Sequence, residues 1–186
     1  MKAALVALAV LAALAAPAAA HQASVTYSTA TVDGAAVDYQ IRIAAADLAE
    51  PAGRDPTVAI RVGELDAPTW AAIARYVTAR IAISSDAGPC PATAATARAD
   101  GGDALVTWRA TCARPLATLT ITYALFFDID PGHDAARRVI VPGQEPADTI
   151  LVADANRFVW DLAEPPPSGA LAFIRAGVHH VATGLD

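Results

Sequence analysis

From Ala23 onward the chain is a succession of short alternating runs broken by turn signals, and this pattern constrains its fold more than any other feature. In residues 23–32, Val25, Tyr27, Thr29 and Thr31 share one face of an extended segment. Asp33-Gly34 is a turn signal, and residues 37–43 alternate again with Val37, Tyr39, Ile41 and Ile43. Two such runs around a short turn predict an opening hairpin. Further strand candidates cover residues 81–85, 92–98, 104–112, 116–127, 138–142, 149–152 and 158–162. Asp100-Gly101-Gly102, Pro131-Gly132 and Pro142-Gly143 lie between some of them. One segment has helical spacing. In residues 67–81, Trp70, Ile73, Ala74, Val77 and Ile81 fall along one side, with Asp66 as a candidate N-cap and Pro68 near the first position. Residues 45–50 suit a single helical turn before Pro51. The pattern predicts a mainly β protein: an antiparallel β-sandwich with one inserted amphipathic helix.

The ends read differently. Met1-Lys2, the apolar run from Ala3 to Ala16, and Pro17-Ala18-Ala19-Ala20 form a secretory signal peptide, residues 1–20, with cleavage expected after Ala20. The sandwich is then residues 21–164. Pro165-Pro166-Pro167-Ser168-Gly169 is a stiff linker, and residues 170–186 form a separate, apolar C-terminal helix. The 166 residues after the signal peptide suit one domain, burying roughly 70% of the unfolded surface.

Cleavage removes the only lysine, leaving 12 arginines against 19 acidic residues. A negative surface argues against a nucleic-acid partner. The two cysteines, Cys90 and Cys112, read as a disulfide in an exported chain. A pair of metal-binding thiolates is the rival reading, without a CxxC spacing to support it.

Candidate ligands fall in three places. His179, His180 and Asp186 sit on the apolar C-terminal segment, with His179 and Asp186 two helical turns apart on one face. Ionisable groups on a membrane-bound helix mark an ion path, whereas on a solvated helix they are incidental. His21, the expected mature N-terminus, offers an amine and an imidazole to a transition metal. Asp128, Asp130 and His133, with Asp134, form the densest cluster. It is not an EF-hand, since Val139 stands where a bidentate Glu is needed. Asp-Pro-Gly-His is also ordinary turn chemistry, and the turn is the favoured reading. Tyr123, Phe126, Phe127, Trp108 and Trp160 suit core or strand pairs, with a carbohydrate platform as the minor reading. A triad of His133, Asp128 and Ser84 or Ser85 can be drawn, but no nucleophile elbow frames either serine. With no phosphate loop or H-E-x-x-H, the chain is not expected to be an enzyme or to hold a resident cofactor.

Three stretches resemble a known family. The signal peptide ends in Ala-His, the run Leu119 to His133 leads into Asp-x-x-His, and Phe173 to Asp186 ends in Gly-Val-His-His-Val-Ala-Thr-Gly-Leu-Asp. Together they resemble the N-terminal extracytoplasmic region of the HupE/UreJ family, hydrogenase and urease accessory proteins considered nickel or cobalt permeases. Gly177, His180, Gly184 and Asp186 match the motif that opens that family's first transmembrane helix. The resemblance implies an ectodomain on the periplasmic side of the bacterial inner membrane, with residues 170–186 starting a truncated transmembrane helix. Its partners would be its own missing transmembrane portion, the membrane and a divalent ion, Ni2+ or Co2+, as transported cargo. The alternative is a non-catalytic periplasmic or cell-surface β-sandwich for protein interaction with no metal role.

Overall fold

The computed structural model describes residues 24–167. Strand β1 (Val25–Asp33) and strand β2 (Ala36–Ala44) form the expected hairpin, with Asp33 paired to Ala36 across the turn. Gly34 takes φ +59°, a left-handed conformation that costs glycine little. After a 3-10 turn at Ala45–Leu48 and a loop comes helix α1, Ala67–Thr78. Asp66 caps it by accepting the Thr69 N–H at 2.9 Å, and Ile73, Ala74 and Val77 turn inward. The helix stops short of the expected residue 81 because Ile81 opens β3 (Ile81–Ser85).

The remaining strands are β4 (Gly88–Pro89), β5 (Thr96–Asp100), β6 (Asp103–Thr111), β7 (Thr118–Tyr123), β8 (Asp134–Ile140), β9 (Ala147–Leu151) and β10 (Arg157–Asp161). They make two sheets, ordered β5-β6-β2-β1-β8-β9 and β10-β7-β3-β4. One expectation is corrected here, because the sandwich is not wholly antiparallel. β1 and β8 pair in parallel, from Val25 with Asp134 to Thr31 with Ile140. The chain leaves the six-stranded sheet after β6, forms β7 in the other sheet, and returns beside β1. That crossover is long enough to bring β8 back in the direction of β1. It also moves the start of β8 from the expected residue 138 to Asp134, because pairing with β1 begins at Val25.

The core lies between the sheets. Val37, Tyr39, Ile41 and Ile43 of β2 and Val106 and Trp108 of β6 face Leu119, Ile121, Phe158 and Trp160. Tyr39 and Trp108 are a cross-strand pair stacked at 4.5 Å between ring centroids. At the hairpin end, the expected disulfide joins Cys90, beyond β4, to Cys112, beyond β6, and so ties one sheet to the other. Its sequence separation of 22 residues implies stabilisation of about 3 kcal/mol in the chain-entropy model. A disulfide of this kind is consistent with an extracytoplasmic location. Among the described residues, no helix is long and apolar enough to cross a membrane. The segments expected to be a signal peptide and a C-terminal helix both lie outside the described residues.

Candidate functional site

At the end of the sandwich away from the disulfide, the loop from β7 to β8 delivers a histidine into the core. Asp130 shapes this loop: its carboxylate accepts the Gly132 N–H at 3.0 Å, and its carbonyl accepts the His133 N–H at 3.0 Å. The Asp134 N–H then donates to the Ser24 carbonyl, where β8 meets β1. Asp-Pro-Gly-His is therefore turn chemistry that ends by burying its histidine, whose exposure is 0%.

The imidazole of His133 has a partner on each nitrogen. Nδ1 lies 2.7 Å from the Ser24 hydroxyl and Nε2 lies 3.0 Å from the Thr26 hydroxyl. Thr26 Oγ1 also lies 2.6 Å from the Tyr123 hydroxyl, which is 3.4 Å from Nε2. Tyr123 lies parallel to the imidazole, and Phe126 and Phe127 meet it edge-on at 5.1 and 6.0 Å. Burial pushes the His133 pKa down to about 4, although the neighbouring Asp130 and Asp134 carboxylates pull it up. Burial likewise pushes the Tyr123 phenol well above its ordinary value, against the opposing hydrogen bond to Thr26. At neutral pH the network is a neutral imidazole, two hydroxyls and a phenol. One ring nitrogen donates and the other accepts, and the hydroxyls can turn to suit. Asp47, nearby, has its carboxyl raised by burial, with the Ser24 hydroxyl opposing that shift and the Asp130 charge adding to it.

Phe126 closes this pocket from an unusual backbone position. Its φ is +70°, uncommon for a bulky residue, yet its side chain is 1% exposed. The sequence pattern predicts a strand as far as Phe127. The strand ends at Tyr123 because the chain must turn here to aim Phe126 and His133 inward.

A second polar group lies on the inner face of β8. Arg137 is 4% exposed, its three guanidinium nitrogens are shut off from solvent, and none makes a hydrogen bond of normal geometry. The guanidinium lies over the Phe158 ring, 4.6 Å from its centroid. Burial pulls its pKa down, and the Tyr39 hydroxyl, through its charge and a loose hydrogen-bonding contact, and then Tyr123 counter this. Tyr39 donates its hydroxyl to Ser28 Oγ at 3.0 Å.

These contacts place the residues singled out in the sequence. Asp128 faces outward, 3.7 Å from Arg80. Asp130 serves its turn, and His133 points into the core. Among the described residues, no group of three or more His, Cys, Asp or Glu is positioned to hold a metal ion. The hydroxyls on His133 belong to Ser24 and Thr26, not to Ser84 or Ser85 of β3. His21, His179, His180 and Asp186 lie outside the described residues. No local motif marks Ser24, Thr26 and Tyr123 as the environment of His133, or Arg137 as a buried cation. The β1–β8 register, which lines up Val25 with Asp134, and the packing of β7 from the other sheet put them together. No protein-family model matches the chain, and no curated protein matches it significantly.

Proposed function

We propose that this chain is the extracytoplasmic domain of a HupE/UreJ-like membrane protein involved in nickel or cobalt uptake, carried on the periplasmic side of the bacterial inner membrane. The observation carrying this reading is the order of parts: a signal peptide, a β domain closed by Cys90–Cys112, a proline break, then Gly177, His180, Gly184 and Asp186 in the spacing of a permease-opening motif. Metal handling falls to His180 and Asp186, with the transmembrane portion encoded beyond Asp186. The β domain is then a folded platform beside the ion path. In the intact gene, His180→Ala or Asp186→Ala should abolish nickel uptake while expression and membrane insertion stay unchanged. Wild-type uptake in both variants would overturn the reading.

One observation favours the second reading, an interaction sandwich with no metal role. Within the described domain, Asp130 and His133 are engaged in holding the fold, and Asp128 lies beside Arg80. That reading expects both variants to behave as wild type.

A further inference from the structure

The outer face of the six-stranded sheet carries a second surface that the metal reading leaves unused. Pairing register places its side chains in two rows that cross five strands. One row runs Leu105, Arg42, Tyr27, Ala136, Ile150; the next runs Thr107, Gln40, Thr29, Arg138, Asp148. Side chains two apart on a strand share a face, so the rows lie about 7 Å apart and each spans about 19 Å. The first row is largely apolar, and its Tyr27 is 62% exposed. The second row consists of hydrogen-bonding groups. Ala136 is the low point beside Tyr27, and an open groove of about 520 Å3 forms over these rows. Trp108 and Trp160, the tryptophans weighed as a carbohydrate platform from sequence, are buried in the core.

We propose that this groove binds a neutral oligosaccharide, with Tyr27 as the stacking platform and the Gln40, Arg138 and Asp148 row as the hydroxyl-binding rim. Charge decides the ligand class. Arg138 and Asp148 are already joined by two hydrogen bonds of 2.8 Å, and Arg42 is paired with Asp100 and lies 3.7 Å from Asp103. An anionic or cationic ligand would find each of these charges already neutralised by its partner. A polyol offers donors and acceptors together and can use the N–H groups and lone pairs the pairs leave free. A sugar's C–H face suits an exposed aromatic ring, and its hydroxyl edge suits the neighbouring row. A peptide strand adds at a sheet edge, through unpaired backbone groups. Tyr27 and Ala136 stand on central strands whose backbone is already paired, and the groove meets a sheet edge just at its rim, on β9. A second copy of the chain would have to dry several ion pairs, at a desolvation cost that such a contact repays poorly.

The test is calorimetric titration of the intact chain with cellopentaose, chitopentaose, xylopentaose and maltopentaose, together with the polyanion heparin. At least one neutral oligomer should bind with a Kd between about 1 μM and 1 mM. That affinity should hold as salt is raised, since no net charge is neutralised. Tyr27→Ala, an exposed replacement, should weaken binding at least about tenfold, and Ala136→Gln should block the groove. Circular dichroism of both variants should match the wild type. No binding to any neutral oligomer, binding to heparin alone, or equal affinity in Tyr27→Ala and Ala136→Gln would each overturn the proposal. So would self-association that the two variants abolish in place of sugar binding. None of these outcomes bears on nickel uptake, so this proposal and the permease reading can fail separately.

Discussion

Arg137 and Arg138 are neighbours on β8, and their environments could hardly differ more. Arg138 faces outward, is 56% exposed and shares two hydrogen bonds with Asp148 across the strand pair. Arg137 faces inward, is 4% exposed and lies over the Phe158 ring. The same alternation divides β1: Thr26 and Ser28 point in to the His133 and Tyr39 hydrogen bonds, while Tyr27 and Thr29 point out. A one-residue step along a strand moves a side chain from solvent to core. On the outer face, polar groups are compensated and exchangeable. On the inner face, each polar group is fixed by what surrounds it.

The largest effect should come from His133. His133→Leu leaves the hydroxyls of Thr26, Ser24 and Tyr123 without the imidazole that joins them. Thr26 and Tyr123 keep their mutual hydrogen bond, so we expect a loss of about 2–3 kcal/mol in urea denaturation, the upper range for buried polar groups left under-satisfied. A loss below about 1 kcal/mol would mean that the inner network contributes no more than a surface contact.

The two arginines should then respond in opposite directions. Desolvating a guanidinium that has no well-formed hydrogen bond costs several kcal/mol, more than the roughly 2 kcal/mol that a buried cation–π contact returns. Arg137→Met should therefore raise stability, by about 1–2 kcal/mol. Arg138→Met removes an exposed pair and should lower stability by no more than about 0.5 kcal/mol. Equal losses in the two variants, measured by the same denaturation, would erase the distinction between the faces.

A narrower effect concerns the backbone. At ordinary positions glycine is less stabilising than alanine, but at φ +70° the order should invert. Phe126→Ala and Phe126→Gly both lose the ring packed on His133. The glycine variant should be the more stable of the two by about 1 kcal/mol in thermal unfolding.

Much of the β framework was legible because the code for it is local. Alternation around Asp33-Gly34 predicted the first hairpin, and Val37, Tyr39, Ile41 and Ile43 are all buried as their spacing implied. The Asp66 cap and the Trp70 to Val77 stripe marked the helix. The Cys90–Cys112 bridge followed from the number of cysteines and the signal peptide. Three features depended on distant pairing and were not legible. The parallel β1–β8 pair needs the chain to cross sheets first. Phe126 reads as a strand residue until the turn that buries it is seen. His133 reads as a ligand or a turn residue because its partners, Ser24 and Thr26, lie more than a hundred positions upstream. The groove escaped for the same reason, since Leu105, Arg42, Tyr27, Ala136 and Ile150 form a row only across five strands.

The most direct test of the inner network is the pH dependence of stability. With its folded pKa near 4 against an ordinary 6.5, His133 takes up a proton more readily when unfolded. Between about pH 6.5 and 4 the unfolded state binds more protons, so stability falls as pH falls through that window. The full shift corresponds to about 3 kcal/mol. Asp47, raised by burial, acts in the opposite sense, so the comparison must be with a variant that lacks the imidazole. Urea denaturation of the wild type and His133→Leu should be followed from pH 7 to pH 4. The wild type should lose about 2–3 kcal/mol more than the variant across the window. Parallel curves for the two proteins would contradict a neutral, buried His133 as the pin of this fold.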